Sequence, residues 1–317
     1  MGVESYERQE ALLVLFYAAE VAERNFTGAS CDCLAHRHGN AGDRPTRAAV
    51  YPTDLTDAQW AVICVEMPVP AWMSGRGGRP EGYCHRQMID AMLYVVDNGI
   101  KWRAMPADFP CWQAVYRFFR RWRDTGLLTV LHDRLRRAVR VAAGRGPEPT
   151  ATIIDSQSLR AAETVGTDQR GFDGGKKING TKRHIAVDAL GLLLAVLVTS
   201  ANTADRDGAV PLLQRLATAC LRIRHAWADS GYAGQLIDWA ALVLQLRVQI
   251  VRRADTASGF QVLPRRWVVE RTLAWITRRR RCVRDYERLP ASSETMTYWA
   301  MTLVMTRRLA RHQTPPR

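Results

Sequence analysis

The pattern of apolar and polar positions changes character near residue 147, from helical periodicity to short apolar runs separated by turns. Before that point, Thr56-Asp57-Ala58-Gln59 has capping-box spacing and predicts a helix running to about Met67. A second helix is predicted from about Tyr83 to Val96, with Met88, Ile89, Met92, Leu93, Val95 and Val96 as a broad apolar face and Asn98-Gly99 as its end. Pro110 suits the first turn of a third helix, in which Trp112, Val115, Phe119 and Trp122 fall on one stripe. A fourth helix begins near Leu127. Gly144-Arg145-Gly146-Pro147-Glu148-Pro149 then breaks the chain. Beyond it the runs Thr152–Ile154, Ile185–Asp188, Leu192–Thr199, His225–Ala228 and Val248–Val251 predict strands, with a hairpin turn at Asp188-Ala189-Leu190-Gly191. Helical stretches are predicted at Asp207–Ala219, Ala233–Leu246 and Pro264 to about Arg281. This order describes a helical module over residues 51–146, followed by an α/β domain with a mixed sheet over residues 150–312.

The first 50 residues behave differently. They carry more acids than bases, with a short helical pattern from about Glu4 to Arg24 and an aperiodic, Gly/Asp/Arg/His-rich stretch from Gly28 to Thr46. They are expected to be a poorly ordered extension, either dispensable or the product of a misassigned start with the true one near Val50. The whole chain has 45 Lys and Arg against 31 acids, a net charge of +14, which makes a polyanion the expected partner. No apolar run reaches the length of a membrane span, so no membrane association is expected. Seven cysteines are scattered, and Cys31-Asp32-Cys33 is one residue tighter than the usual C-x₂-C metal spacing, so reduced thiols in a cytoplasmic, nucleoid-associated protein are expected.

Charge and acids supply candidate chemistry. Residues 111–140 hold 8 basic and 2 acidic side chains, with Arg117, Arg120, Arg121 and Arg123 falling mostly outside the apolar stripe and Arg134, Arg136, Arg137 and Arg140 following. Short helices with a basic face suit a helix-turn-helix module that binds double-stranded DNA; a helical bundle with a solvated basic face fits the same pattern. The Gly75-Arg76-Gly77-Gly78-Arg79-Pro80 turn reads either as a minor-groove contact or as a linker. Three acids occupy suggestive places: Asp155 after the first strand, Asp229 after a later one and Glu270 inside the Pro264 helix. Oxygen ligands so placed suit Mg²⁺ or Mn²⁺, although Glu270 has Arg266 four residues earlier as an ordinary helix ion pair. Lys176, Lys177, Lys182 and Arg183 form a basic cluster beside them, while His184 and His225 in predicted strands read as structural. Trp267 and Trp275, eight residues apart, read as core-facing.

Several longer stretches are more specific. Tyr51-Pro52-Thr53-Asp54-Leu55-Thr56-Asp57-Ala58-Gln59-Trp60, Asn98-Gly99-Ile100-Lys101-Trp102-Arg103, Val115-Tyr116-Arg117-Phe118-Phe119-Arg120-Arg121-Trp122, Ile154-Asp155-Ser156-Gln157-Ser158, Lys182-Arg183-His184-Ile185-Ala186-Val187-Asp188, Ala228-Asp229-Ser230-Gly231-Tyr232 and Trp267-Val268-Val269-Glu270-Arg271-Thr272 resemble, in order, the signatures of bacterial insertion-sequence transposases of the IS-five type. The resemblance covers about Tyr51 to Leu309. It implies a ribonuclease-H-like catalytic domain with Asp155, Asp229 and Glu270 as the metal-holding triad. It also implies binding to terminal inverted repeats, cutting of the DNA ends and joining of the 3′ hydroxyl to target DNA, by at least a dimer. Residues 252–288 carry 11 basic and 4 acidic side chains, and Arg266, Arg271 and Arg278 are expected to meet phosphates there. Arg266 stands at the family's basic position before the Glu, whereas Leu263 and Thr277 replace the family's Tyr and Lys, with Arg278 adjacent to the latter. An impaired descendant that only binds DNA is the alternative reading.

Overall fold

The structure is a computed structural model that describes residues 31–44, 47–74, 79–251 and 264–313. The predicted Glu4–Arg24 helix, the Gly75–Gly78 turn and Leu263 lie outside the described residues. Among the described residues, the chain divides into a mainly helical unit, within 31–95, 101–145 and 303–313, and an α/β unit, within 96–100 and 146–302.

In the helical unit, α1 spans Leu34–His38, α2 Asp57–Glu66, α3 His85–Asn98, α4 Trp112–Asp124 and α5 Leu127–Ala142. The capping box forms as its spacing predicts: the Thr56 side chain accepts the Gln59 N–H at 3.2 Å and the Gln59 side chain accepts the Thr56 N–H at 3.3 Å. The apolar stripe of α4 buries Val115, Phe119 and Trp122, while Trp112 at its first turn is only half-buried. Helix α4 begins after Pro110, with Cys111 as its N-cap. These side chains join Trp60, Ile63, Met88, Ile89, Met92, Leu131 and Leu135 in an interior that excludes water. Helix α5 corrects one expectation: Arg136 and Arg140 are buried, and Arg136 is held by Asp133 at 2.5 Å. Arg134 and Arg137 remain on the outside.

Residues 31–44 also depart from expectation. They carry α1 and bury Cys33, Ala35 and Ala41 in the helical unit. Their stretch lacks apolar periodicity because three small or sulfur-bearing side chains supply the contact, with no run of large apolar residues.

In the α/β unit, strands β1 (Ala151–Arg160), β2 (Gly171–Asp173), β3 (Ile178–Val187), β4 (Leu193–Ser200), β5 (His225–Ala228) and β6 (Arg247–Ile250) make one mixed sheet. Strand β3 lies between β1 and β4, antiparallel to both, and β2 continues its edge. Strands β5 and β6 run parallel to β1. Parallel neighbours need crossover connections. Helix α6 (Asp205–Ala219) and helix α7 (Gln235–Leu244) provide them and cover one face through Leu212, Leu213, Leu216, Leu236 and Ala240. The hairpin turn forms at Asp188, whose Oδ1 accepts the N–H groups of Leu190 and Leu192 at 2.9 and 2.8 Å, with Gly191 at φ +77°. Helix α8 (Pro264–Thr277) lies against β1, β3 and β5. A last helix, α9 (Pro290–Gln313), was not legible as a periodic stripe, because it buries Thr295, Thr297, Thr302 and Thr306 among its apolar side chains. Such threonines are tolerated by bonding back to the preceding turn, as Thr295 does to the Ala291 carbonyl at 2.6 Å.

Candidate active site

Strand β1 is longer than its apolar run. Asp155 therefore stands within the strand, opposite Ile185 of β3, and not at a strand end as the pattern predicts. The β1/β5 register sets Ile153 opposite Trp227; carried two residues on, it brings Asp155 level with Asp229. Alternation along β1 sends Ile154 and Ser156 toward α6, where the Ser156 hydroxyl donates to Asp205 Oδ1 at 2.7 Å. Asp155 faces the other way, within electrostatic reach of Asp229, Arg266 and Lys176. Burial, opposed by the Ser156 N–H at 2.7 Å and raised further by the Asp229 charge, pushes the Asp155 carboxyl up to about 6. Asp229 is fixed by its own turn, its Oδ1 accepting the Gly231 N–H at 2.9 Å.

Glu270 rides on α8 beside β1, where it is exposed and lies 3.4 Å from Arg266. Among the described side chains, the three carboxylates do not all come within 4.8 Å of one another. The structure therefore brings Asp155 and Asp229 together and places Glu270 on the adjoining helix, paired with a cation. The donor set still fits a hard divalent ion. Two carboxylates forced together are relieved by positive charge, and Glu270 can exchange Arg266 for a metal ion.

Sequence reasoning missed three residues around this pair. Asp205, at the first turn of α6, accepts from Ser156 and from Lys182 Nζ at 3.0 Å; burial works against its ionised form, but these two contacts and the lysine charges hold its carboxyl below the usual carboxylate range. Tyr232 is buried within the field of Asp155, Asp205 and Asp229, and burial and those charges raise its phenol well above its ordinary value. Ser156 was adjacent to Asp155 in the sequence, but only the sheet shows that it reaches α6.

The basic residues separate into free and committed groups. Lys176 and Lys177 are exposed on the β2–β3 turn. Lys182 turns inward onto the Thr203 carbonyl at 2.8 Å and Asp205, and Arg183 is 1% exposed, donating to Gln157 Oε1 at 3.2 Å and the Cys282 carbonyl at 3.1 Å. Arg183 is a correction to the phosphate-contact expectation, since the Arg280–Cys282 turn lies over its face of β3 and its Cys282 carbonyl takes the guanidinium; Lys182 likewise serves Asp205. Arg271 lies between Trp267 and Trp275, 4.6 and 4.7 Å from the ring centroids, and donates to the Leu190 carbonyl at 3.1 Å. Trp267 is 43% exposed, so it is no core residue. Arg278 is exposed, and Thr277 bonds back to the Leu273 carbonyl at 3.0 Å. His184 is fully buried against the Thr199 hydroxyl at 3.0 Å, and His225 is exposed.

In the helical unit, Arg117, Arg120 and Arg121 are exposed on α4, while Arg123 is half-buried and pairs with Asp124 at 2.7 Å. Arg117 and Arg121 line a cleft of about 550 Å³ with Arg44, Arg79 and Glu81. Arg121 pairs with the buried Glu81 and stacks on Phe118 at 4.3 Å.

A family model of the transposase DDE domain matches residues 146–305, just over half of the chain. The chain belongs to the DDE transposases. Its α/β unit is the ribonuclease-H-like domain that this membership implies, with β4, β3 and β1 antiparallel and β5 and β6 parallel to β1. A second model, putative transposase of the IS4/5 family, matches residues 55–132 in the helical unit. The chain is 34% identical over 116 residues to a putative transposase for insertion sequence element IS402 of Burkholderia cepacia, covering 34% of this chain and 54% of the relative. It is 28% identical over 118 residues to an uncharacterized 16.2 kDa protein of the same element and organism, covering 37% of this chain and 77% of the relative. The matched stretch thus spans about half the length of the first of these relatives. No solved structure matches. No helix among the described residues is long and apolar enough to cross a membrane.

Proposed function

We propose that the protein is a DNA transposase that binds the terminal inverted repeats of an insertion sequence, cleaves the DNA ends and transfers the 3′ hydroxyl to target DNA. Asp155, Asp229 and Glu270 are the catalytic residues and hold Mg²⁺ or Mn²⁺. The single observation that carries this reading is the β1/β5 register, which, carried on past Ile153 and Trp227, brings Asp155 within β1 level with Asp229 just after β5, both half-buried. When bound there, the divalent ion supplies charge stabilisation for phosphodiester displacement.

The protein's own groups do the rest. Asp205, held by Ser156 and Lys182, anchors the start of α6 beside the acids. Lys176 and Lys177 meet the phosphates of the DNA end, and Arg266 is released from Glu270 to do the same. Arg117, Arg120 and Arg121 grip the inverted repeat through phosphates. Two ends must be held at once, so the active form is at least a dimer.

A second reading has its own support. Glu270 is paired to Arg266 and Thr277 is bonded to its own helix, so an impaired descendant that binds DNA without cutting it fits this helix as well. Incubating the purified protein with end-labelled DNA carrying the termini of its element, with Mg²⁺ or Mn²⁺, separates the two. Metal-dependent nicking at the termini that Asp155→Asn abolishes supports the transposase; binding without nicking supports the descendant.

A further inference from the structure

We propose that Cys31, Cys33, His36 and Cys84 form a structural zinc site that clasps residues 31–44 onto the start of α3. One donor atom from each of the four lies within 4.8 Å of all the others, and Cys33 Sγ is 3.2 Å from His36 Nδ1. Such closeness suits the corners of one tetrahedron, given zinc–sulfur bonds of about 2.3 Å and zinc–nitrogen bonds of about 2.0 Å. Three thiols and one imidazole are soft to intermediate donors, which select zinc over the oxygen-seeking Mg²⁺ of the acidic pair.

The chain is built to bring these groups together. Cys33 is the N-cap of α1 and His36 lies three residues on, so the helical turn aims both toward one point. Cys31 joins them from two residues before. Cys84 immediately precedes α3, and the His85 N–H at that helix start donates to Cys33 Sγ at 3.4 Å. A helix N-terminus favours a thiolate. Cys33 and Cys84 are buried, Cys31 and His36 half-buried. Binding a metal would deprotonate the three thiols, and its charge would balance the thiolates gathered in so small a volume.

The clasp has structural work to do. Helix α1 has five residues, far fewer than the roughly 12–15 an isolated helix needs. The segment nevertheless docks closely: the Asn40 N–H donates to the Glu81 carbonyl at 2.9 Å, and a Cβ on Gly39 would meet that carbonyl at 2.5 Å. Just beyond, Arg44 donates to the Gly82 carbonyl and stacks on Tyr83 at 4.0 Å, which places it in the arginine-lined cleft with Arg117 and Arg121. Zinc would therefore hold one wall of the basic cleft. A chain starting near Val50 would lack three of the four ligands.

The test is metal content of the full-length protein purified without chelator. One zinc per chain is expected. Cobalt substitution should give the intense visible bands of tetrahedral thiolate coordination. Cys84→Ser should lower bound zinc at least about tenfold, whereas Cys111→Ser, outside the cluster, and Asp155→Asn should retain it. His36→Cys should keep the zinc and shift the cobalt bands as nitrogen gives way to sulfur. Wild-type protein without zinc and without cobalt bands, a disulfide among these cysteines by mass spectrometry, or a cobalt spectrum unchanged by His36→Cys would each overturn the site.

Discussion

Asp155 shows most clearly how one side chain is governed by its surroundings. Its folded carboxyl is raised to about 6 from an unfolded value of about 3.9, so the folded protein holds that proton more tightly than the unfolded chain. Its contribution is therefore most favourable below about pH 4 and is lost as pH rises through about 6, at a cost on the order of 1–3 kcal/mol. In chelator, Asp155→Asn should raise the melting temperature at pH 8, and the gain should vanish near pH 4. Saturating Mg²⁺ or Mn²⁺ should stabilise the wild type at pH 8 and leave Asp155→Asn unmoved; thermal melts with and without chelator check both. The three proposed catalytic acids were legible in the sequence because each sits in a motif of fixed residue types. Their partners were not. Ser156, Asp205 and Tyr232 meet the pair only through the register of β1 and the entry of α6, and Arg183 sits in a basic run whose burial depends on the Arg280–Cys282 turn lying over that face of β3.

At the scale of elements, close approach decides what is allowed. Gly208 lets α6 lie on His184, since a Cβ there would meet the imidazole ring at 2.2 Å. The ring is buried and cannot swing clear, so Gly208→Ala should cost about 1–3 kcal/mol in urea unfolding. Helix α8 is pinned differently. Arg271 lies between two indoles and reaches the Leu190 carbonyl in the hairpin turn, so Arg271→Ala should lower stability by about 1–2 kcal/mol. DNA affinity at low salt should change less, as a binding titration beside the melt will show. Among the described residues, five of the six strands and every helix from α2 to α8 were visible as periodic or capped stretches. Strand β2 was too short to show a period, α9 hides its face among threonines, and α1 owes its place to sulfur contacts that no periodicity announces.

For the whole molecule, the excess of +14 is not a uniform coat. Arg136, Arg140, Arg183 and Lys182 are consumed internally, whereas Arg117, Arg120, Arg121, Lys176, Lys177 and Arg278 are among the basic residues left exposed. Replacing Arg117, Arg120 and Arg121 together with Ala should flatten the salt dependence of DNA binding by a slope of about 2–3, as expected for three lost phosphate contacts. A slope unchanged by the triple replacement would move the DNA surface away from α4. The change of periodicity predicts a helical module followed by an α/β domain; the assignment of residues 31–44 and 303–313 to the helical unit required the folded structure.

On the function proposed, Asp155 and Asp229, with Glu270 beside them, cut DNA at the ends of an insertion sequence. The most direct test is nicking of end-labelled DNA bearing the element's termini, with Mn²⁺ or Mg²⁺ present and then removed by chelator. Cleavage at the termini is expected to require the metal and to be lost, with DNA binding retained, in Asp155→Asn, Asp229→Asn and Glu270→Gln alike. Metal-dependent nicking that persists in these variants, or tight terminal binding with no nicking by the wild type, would contradict it.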